Sequence, residues 1–341
     1  MRVLHILCDL NGGGAERLVL DLCRHTAHQP DVVTVLRGGD LAPAFDKAGL
    51  SVRWAGRRRR RPGARAIAQI ARWSTEYDIV HTHLWAGDLW GRLGARLGSR
   101  TPIVTTEHNA RPDSSLRGLV WRQMAPLSDA IVCVSEAARQ ILIRDGLDPA
   151  RLHVIHNGIS LDRFSPLPPS TAPRRRVLAM GRLTRQKGLD VLLRAATLAP
   201  ELELTILGDG PDRAALEPLA RACGAAMPGW VADVRSHIAA ADVVAVPSRW
   251  EGFGLVAAEA MACGRPVVAS RVDGLAEVVG EAGVLVEPED AAGLAAALRE
   301  VCVDEARWSR LREAGLRRAA RFGVRRTAAA YDALYEQLTR R

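Results

Sequence analysis

Short runs of β-branched and aliphatic residues alternate along this chain with longer segments that are rich in alanine and leucine. In the first half the apolar runs are VLHILCD, DVVTVL, DIVHTH, PIVTTEH and AIVCVS, and VIHNG closes the series. The second half restarts the pattern with RVLAMGR, ELTILGDG, DVVAVPS, PVVAS and GVLVE. Strands that alternate with helices in this way are typical of parallel sheets covered by helices on both faces. The pattern therefore predicts an α/β fold with two doubly wound parallel sheets.

A proline-rich segment separates the two series of strands. It is FSPLPPSTAPRRR, residues 164–176, and its four prolines favour extended backbone and exclude helix. We expect a first domain over residues 1–165, a linker over 166–176 and a second domain over 177–323. Ligands of open α/β sheets bind at the carboxyl ends of the strands, so we expect a binding cleft between the strand ends of the two domains.

Composition indicates a globular protein that is soluble. Of the 341 residues, 48% are hydrophobic and 25% are charged, and no apolar run reaches the length of a membrane span. The N-terminus MRVLHILCDLNGGGAE is typical of a first strand and not of a cleavable signal. The six cysteines form no C-x-x-C pair, which favours buried reduced thiols over a zinc site or disulfides. We expect a cytoplasmic protein.

The net charge of +9 has its densest source in GRRRRRPGAR, which contains the run Arg57–Arg61. One interpretation is a solvated loop. The other is a surface for anionic lipid headgroups or a phosphorylated acceptor, because each basic group near a charged membrane adds about 1 kcal/mol. That second interpretation predicts peripheral contact with the inner face of the cell membrane. No aromatic residues interleave with the arginines, so we expect no nucleic-acid partner.

A glycine-rich turn, DLNGGGAER, follows the first predicted strand. Its glycines allow close backbone approach and expose N–H groups before a helix that begins near Ala15. It is not the dinucleotide fingerprint, because the third glycine of G-x-G-x-x-G is replaced by Arg17. Such a turn is also common without any ligand.

Two cations follow the first strand of the second domain, in MGRLTRQKGLDVLL. They are Arg182 and Lys187, and only Lys47 and Lys187 among the 47 basic residues are lysine. A lysine in a chain that otherwise uses arginine indicates a site for a compact ammonium group, as at phosphates. The alternative is a charge at a helix start without a ligand.

Two glutamates lie eight positions apart in RWEGFGLVAAEAMACGRP. Glu251 precedes a glycine-rich turn, and Glu259 lies about one turn into a helix predicted from Leu255 to Cys263. The N-terminal N–H groups of that helix attract an anion such as a phosphate. Each carboxylate can accept hydrogen bonds from sugar hydroxyls, so the pair predicts a site for two polyols. The alternative is an exposed helix glutamate beside a turn glutamate.

In this order and spacing, the motifs resemble those of the family 4 retaining glycosyltransferases, whose GT-B fold has two Rossmann-like domains facing across a cleft. The resemblance runs from NGGGAE through HTH, TTEHN, VCVSEAAR, VIHNGISLDRF, GRLTRQKG, LGDGP and EGFGLVAAE to GVLVEPED. It implies sugar transfer from a nucleotide diphosphate sugar, UDP-linked first and GDP-mannose second, to a hydroxyl acceptor. The final helix, residues 324–341, is expected to cross back to the first domain.

The resemblance also implies roles for particular residues. Arg182 and Lys187 are expected to bind the diphosphate, Glu259 the ribose, and His108 to stand beside the transferred sugar. Together with Glu251, these two cations and His108 form the expected catalytic set. The remaining donor-binding positions are Gly13, Gly14, Gly210, Val231, Gly252, Phe253, Gly254 and Leu255.

No metal and no cofactor are expected, because the chain contains no D-x-D and such enzymes stabilise the departing diphosphate with cations and a helix dipole. Three other functions stay open: a sugar-nucleotide 2-epimerase, a natural-product glycosyltransferase, and a non-catalytic nucleotide-binding partner subunit. A lipid-linked or envelope glycan is the acceptor that the arginine run favours.

Overall fold

The computed structural model describes residues 1–11, 13–36, 38–56, 63–108, 116–169 and 173–340. Arg57–Arg61 lies outside the described residues, so its contact with a membrane stays a prediction. The chain divides into two compact units. The first unit is Met1–Gly158 with Val324–Arg341, and the second unit is Ile159–Gly323.

The elements alternate as the apolar pattern predicts. Up to the first strand of the second unit they are β1 Arg2–Leu7, α1 Gly14–His25, β2 Gln29–Thr34, α2 Ala42–Lys47, β3 Val52–Trp54, α3 Gly63–Ser74, β4 Ile79–His83, α4 Leu84–Gly98, β5 Ile103–Glu107, α5 Leu116–Met124, β6 Ala130–Cys133, α6 Glu136–Arg144, β7 Leu152–Val154 and β8 Arg176–Met180. The rest are α7 Leu189–Leu198, β9 Glu203–Leu207, α8 Arg213–Cys223, β10 Ala226–Gly229, α9 Arg235–Ala240, β11 Val243–Val246, α10 Leu255–Ala262, β12 Val267–Ser270, α11 Asp273–Val279, β13 Val284–Val286, α12 Ala291–Val303, α13 Glu305–Ala319 and α14 Val324–Thr339.

The sheet of the first unit has the order β3-β2-β1-β4-β5-β6-β7, with parallel neighbours throughout. Its central strands are buried along almost their whole length, which explains why they are continuous apolar runs in the sequence. The connection after β1 leads to one side of the sheet and the connection after β4 to the other. Between these two strands lies a topological switch point, where open α/β sheets bind ligands.

The sheet of the second unit has the order β10-β9-β8-β11-β12-β13, again with parallel neighbours. Its switch point therefore lies between β8 and β11. One carboxylate links the amino ends of the two strands. Asp242, just before β11, accepts hydrogen bonds from the amides of Arg175 and Arg176 at the start of β8, at 3.0 and 2.9 Å. The amino ends of the strands are thus fixed opposite the edge at which a ligand would bind.

Helix α14 belongs to the first unit and packs beside β4 and β5. The hydroxyl groups of Tyr331 and Tyr335 lie 2.9 Å from Thr106 Oγ1 and 2.6 Å from His81 Nδ1, and both tyrosines are buried. Asp332 accepts a hydrogen bond from the amide of Ala27, just beyond the end of α1. The last helix therefore completes the packing of the unit that contains the N-terminus.

The beginning of the expected linker is bonded to the second unit. The amide of Leu167 donates to the carbonyl of Cys263 at 3.1 Å, and Arg265 donates to the carbonyl of Pro168 at 2.8 Å. Arg265 is itself buried, so these bonds hold the segment firmly. Within the described residues, no helix has both the length and the apolar character needed to cross a membrane.

Candidate functional site

The cations and Glu251 of the second unit lie at its switch point. Arg182 and Lys187 follow β8, and Glu251 follows β11, the strand beside it. Because the two strands are parallel neighbours, the loops after them leave the same edge of the sheet side by side. Residues that are far apart in the sequence are thereby brought into one site.

Lys187 and Glu251 form an ion pair in this site. Lys187 Nζ donates to Glu251 Oε2 at 2.7 Å, and Ser248 Oγ donates to the same oxygen at 3.0 Å. The side chains are 23% and 13% exposed, so both groups can still be reached by a ligand. Within the described part of the chain the exposed guanidinium of Arg182 has no hydrogen bond or ion pair. This edge therefore carries two cations: Lys187, which is paired with Glu251, and Arg182, whose side chain has no partner within the described residues.

Glycines allow the loops of this edge to approach one another. Gly188 has a φ of +60°, and a Cβ there would lie 2.0 Å from the carbonyl oxygen of Pro247. A Cβ on Gly210 would lie 2.4 Å from the carbonyl oxygen of Leu183. Side chains at these two positions would separate the loops after β9 and β11 from the loop after β8. Gly210 thus belongs to the same edge as Lys187.

The glycine-rich turn leads into α10 as the sequence predicts. Gly254, with a φ of +95°, precedes the helix, which begins at Leu255. The Phe253 ring is buried edge-on against Phe322, with ring centroids 5.2 Å apart, so its side chain belongs to the packing of the second unit. Gly252 is also buried. The N-terminal N–H groups of α10 are therefore the feature of this turn that could bind an anion.

Glu259 and Val231 lie farther from the ion pair along the chain. Glu259 is half-buried on α10, between the fully buried Ala258 and Ala260. Val231 is half-buried after β10, whose last residue, Gly229, accepts a hydrogen bond at 2.8 Å from the amide of Gly208 after β9. The structure thus places Val231 near the end of β9 and Glu259 one turn inside α10.

In the first unit, Gly13 and Gly14 lie between β1 and the first turn of α1. Gly13 is extended, with φ −98° and ψ 168°, and its amide donates to the carbonyl of Asn11 at 2.6 Å. A Cβ on Gly13 would lie 2.3 Å from Oε2 of Glu16, a buried carboxylate in the first turn. A side chain at position 13 would therefore have to displace the Glu16 carboxylate.

His108 follows β5 in the same unit. Its Nε2 atom is buried and has no hydrogen-bond partner within the described residues. Burial lowers the pKa of His108 to about 4, so the imidazole is neutral at physiological pH. A neutral imidazole whose buried nitrogen has no partner among the described residues can donate one hydrogen bond to a ligand or accept one from it.

Three further histidines cluster beside His108. His5 Nδ1 and His83 Nε2 lie 3.2 Å apart, and His81 lies between Tyr335 and Thr106, with Nε2 2.7 Å from Thr106 Oγ1. Burial lowers the pKa of His5 to about 3 and those of His81 and His83 well below the usual 6.5. The cluster is thus uncharged, and in the contact between His5 and His83 one ring donates a hydrogen bond to the other.

These three histidines are also the one group among the described residues whose ligand atoms have the spacing of a metal site, all within 4.8 Å of one another. Both nitrogens of His81 are hydrogen-bonded to hydroxyl groups, and His5 bonds to His83. A metal would have to replace several of these bonds. We therefore describe the group as a hydrogen-bonded cluster.

His5 was not predicted from the sequence as a candidate site residue, although the sequence contains a pattern that indicates its position beside His81. VLHIL and IVHTH each place a histidine in the middle of a strand, and His5 of β1 pairs in register with His81 of β4. His83 lies two residues beyond His81, so its side chain points to the same face of the sheet. Neighbouring strands that repeat a histidine at the same position indicate such a cluster.

Two family models match the sequence. The one described as glycosyl transferases group 1 matches residues 174–304, and the one described as glycosyltransferase family 4 matches residues 12–163. The D-inositol 3-phosphate glycosyltransferase of Xylanimonas cellulosilytica is 39% identical, over 78% of this chain and 73% of its own length. That of Geodermatophilus obscurus is 37% identical, over 77% and 68%.

Among solved structures, HepE of Anabaena in complex with UDP matches with a TM-score of 0.86 at 22% identity. The match covers 99% of this chain and 100% of HepE. HepE has also been solved in complex with UDP-glucose. This likeness confirms the α/β GT-B fold expected from the sequence.

Proposed function

This chain belongs to glycosyltransferase family 4, and from that premise we propose that it transfers the sugar of a UDP-sugar to a hydroxyl of a phosphate-bearing acceptor. Its family makes it a glycosyltransferase and decides against the 2-epimerase alternative. The base, the sugar and the acceptor are the content of the proposal. So are the roles of the site residues.

The observation that carries the proposal is the pairing of Lys187 with Glu251 at the switch point of the second unit. A diphosphate needs cations and backbone N–H groups, and Lys187, the unpaired Arg182 and the start of α10 supply them. A hexose needs hydrogen-bond acceptors, and Glu251 offers a carboxylate within 2.7 Å of the same ammonium. One site thus combines the chemistry of both halves of a nucleotide sugar.

In the reaction, negative charge develops on the departing diphosphate as its bond to the sugar breaks. Arg182, Lys187 and the N-terminus of α10 stabilise that charge more strongly as it grows, and so lower the barrier. We propose that no metal takes part in this step. Transfer rates with and without EDTA test the point, and loss of transfer on chelation, restored by a divalent cation, would contradict it.

His108 acts as a neutral hydrogen-bonding group in this proposal. Its pKa of about 4 keeps the ring uncharged. Its Nε2 atom, which has no hydrogen-bond partner within the described residues, is suited to a hydrogen bond with a hydroxyl of the sugar or the acceptor. The role is carried over from the family resemblance. His108→Gln, which retains a polar group, should lower kcat and leave the UDP dissociation constant unchanged.

Two findings support the choice of substrates. HepE, which shares the fold, was solved with UDP and UDP-glucose, which favours UDP over GDP. The relatives at 37–39% identity are named for D-inositol 3-phosphate, a phosphorylated polyol. A phosphate-bearing acceptor also agrees with the charge of residues 1–165, which contain 23 Lys and Arg residues against 16 Asp and Glu residues. A lipid-linked glycan carries the same phosphate chemistry.

Thermal unfolding in the presence of UDP, GDP, dTDP and ADP, followed by their sugars, tests the nucleotide. A ligand at 100 times its dissociation constant adds about 2.7 kcal/mol to the free energy of unfolding, so its effect on Tm is visible. We expect a selective rise with UDP that is reduced in Lys187→Ala and retained in Arg317→Ala, whose side chain is 73% exposed outside the site. A selective rise with GDP would overturn the choice of base.

Transfer assays then distinguish the acceptors. The candidates are D-inositol 3-phosphate, unphosphorylated inositol, and a lipid-diphosphate-linked glycan in vesicles. Transfer to either phosphorylated acceptor and not to inositol supports the proposal and identifies the source of the phosphate. Equal transfer to inositol contradicts the need for phosphate. Tight UDP binding without transfer to any acceptor would instead support a non-catalytic subunit.

We further propose that Arg57–Arg61 contacts anionic lipid. Sedimentation with vesicles that contain or lack phosphatidylglycerol, for the parent protein and for a variant with all five arginines changed to serine, tests this. Binding that requires both the anionic lipid and the arginines is expected. Equal sedimentation of the two proteins would remove the membrane contact from the proposal.

A further inference from the structure

Arg249, two residues before Glu251, uses its complete set of side-chain donors. Nη1 donates to the carbonyl of Arg185 and to Asp190 Oδ1, each at 2.8 Å. Nη2 donates to Asp190 Oδ2 at 2.8 Å and to Glu289 Oε2 at 3.0 Å, and Nε donates to Glu289 Oε1. A guanidinium group has five N–H donors, so none is left for a ligand.

These bonds join three segments that are separate in the sequence. Asp190 lies in the first turn of α7, Glu289 follows β13, and Arg249 is in the loop after β11. The backbone adds two bonds in the same place: the Arg249 amide donates to Gln186 O at 2.8 Å, and Gln186 Nε2 donates to Trp250 O at 3.1 Å. The loop that carries Glu251 is therefore tied to the loop that carries Lys187.

The pKa values of Arg249 and its two partners agree with this arrangement. The hydrogen bonds that Arg249 donates to the Asp190 carboxylate, followed by those to Glu289, raise the pKa of Arg249, and the same bonds lower the pKa values of both carboxyl groups. The Arg249 side chain is 13% exposed. A half-buried guanidinium that makes bidentate bonds to two carboxylates forms a joint between their segments, because its planar fork fixes direction as well as distance.

We propose that Arg249 is a positioning residue, which touches no substrate and sets the distance between Lys187 Nζ and Glu251 Oε2 by holding their two loops together. The ion pair at 2.7 Å is then a consequence of this joint. Loss of the joint separates the two loops and weakens nucleotide-sugar binding. Only this last consequence rests on the proposed function.

The chain offers a matched control. Arg194 faces the same two carboxylates, at 3.6 Å from Asp190 and 3.5 Å from Glu289, but its side chain is 51% exposed. No bond of Arg194 to the loops of Lys187 or Glu251 is found among the described residues. Arg194→Gln therefore removes a positive charge from the same place and leaves the joint intact.

The first readout needs no nucleotide. Lys187 and the exposed Lys47 are the two lysines of the chain, so acetylation by a limiting acylating reagent, quantified by peptide mass spectrometry, gives their ratio directly. We expect Arg249→Gln to raise labelling of Lys187 relative to Lys47 several-fold, and Arg194→Gln to leave the ratio unchanged. Arg249→Lys should resemble Arg249→Gln, because an ammonium group cannot replace the fork. An unchanged ratio in both Arg249 variants would overturn the inference.

The second readout is a double-mutant cycle on the UDP-sugar dissociation constant, with Arg249→Gln and Glu251→Gln. If Arg249 acts through the pair, its substitution weakens binding about tenfold in the parent and has little further effect once Glu251 is changed. Equal weakening in both backgrounds would overturn the inference. Absence of UDP-sugar binding in the parent would refute the proposed function, while the labelling ratio would still decide the role of Arg249.

Should Arg249→Gln fail to fold, Asp190→Asn and Glu289→Gln each remove one side of the joint and retain the arginine. We expect a smaller rise in Lys187 labelling in each single variant and the full rise when the two are combined. Parent-like labelling in the combined variant would overturn the inference.

Discussion

Lys187 Nζ lies 2.7 Å from Glu251 Oε2, although the two residues are 64 positions apart in the chain. Each charge is neutralised by the other before any ligand binds. A diphosphate that binds Lys187 therefore competes with Glu251 for the ammonium group. Once the ammonium is shared, a Glu251 oxygen would become available to sugar hydroxyls, so the proposed function predicts that binding of the two halves of a nucleotide sugar is coupled through this pair.

Substitutions of Lys187 and Glu251 should have opposite effects on UDP binding. Lys187→Ala removes the cation and leaves an unneutralised carboxylate, so we expect the UDP dissociation constant to rise roughly 10- to 100-fold. Glu251→Gln removes the competitor, so UDP should bind at least as tightly as in the parent, while the advantage of UDP-sugar over UDP is lost. Calorimetric titration measures both ligands. Weaker UDP binding in Glu251→Gln would contradict the competition.

Gly210→Ala should weaken UDP binding, because the added methyl group would displace the backbone around the proposed nucleotide site. The new Cβ would lie 2.4 Å from Leu183 O and 2.7 Å from Leu183 N. Those atoms bond to Asp212 N and Asp209 O at 3.0 and 2.9 Å, so the loops after β8 and β9 would have to separate. We expect a loss of about 1–3 kcal/mol in the free energy of unfolding, together with weaker UDP binding.

The control for Gly210→Ala is Gly315→Ala in α13. There the nearest atom to the new Cβ is Met261 Cγ at 3.3 Å, which belongs to a flexible side chain. Denaturant unfolding and UDP titration should show little change in this variant. Equal effects at both positions would mean that loop contact is not the cause.

Stability should fall as the pH is lowered through the histidine range. His5, with a pKa of about 3, and His108, with a pKa of about 4, stay neutral in the folded protein. The unfolded chain binds protons below pH 6.5, so it binds more protons than the folded state between about pH 6.5 and 4. Each such histidine then lowers the free energy of unfolding by about 1.4 kcal/mol per pH unit.

Urea unfolding at pH 7, 6 and 5 measures this slope. His5→Asn keeps a polar atom near the position of Nδ1 and removes the titrating group, so the slope should decrease. His237→Gln, at a half-buried histidine of the second unit, provides the comparison. A parent-like slope in His5→Asn would mean that the cluster is not the source of acid sensitivity.

Asp242→Asn should lower stability and spare the site. Burial raises the pKa of Asp242, but hydrogen bonds from the Arg176 side chain and from the amides of Arg176 and Arg175 outweigh it and lower the pKa overall. Loss of this charge at the amino ends of β8 and β11 should cost about 2–3 kcal/mol. UDP affinity at a permissive temperature should be unchanged, because the proposed nucleotide site is at the opposite edge of the sheet.

The control for Asp242→Asn is Glu203→Gln, which removes an exposed pairing with Arg175. Such pairs contribute little, so its Tm should stay near that of the parent. Thermal unfolding and UDP titration on the same samples separate the effects on stability and on binding. Weaker UDP binding in Asp242→Asn would show that the amino ends of the strands influence the opposite edge.

The central strands could be predicted from the sequence, whereas the edge strands β3 and β10 could not. Val52–Trp54 has only three residues, and Ala226–Gly229 contains Pro228. Among the described strands, β3 and β10 each lie at an edge of their sheet and pair on one side only. An edge position tolerates proline and needs no continuous apolar run, so the hydrophobic pattern is weak there.

The sequence placed the candidate site residues after β8 and β11, where the structure has them, but their contacts could not be predicted. Parallel sheets place ligands at strand ends, which singled out Lys187 and Glu251. Their contact depends on β8 and β11 being neighbours, and the order of strands along the chain does not reveal this. The same holds for Arg249, whose partners Asp190 and Glu289 come from other elements.

Helix α14 makes the first unit discontinuous in sequence. The chain leaves that unit at Gly158 and returns at Val324, where a Cβ on Gly158 would lie 2.5 Å from Val324 Cα. During synthesis, every residue of the second unit is added to the chain before Tyr331 and Tyr335. The second unit is therefore contiguous in the growing chain, while the cluster around His81 stays incompletely covered until Tyr331 and Tyr335 have been added.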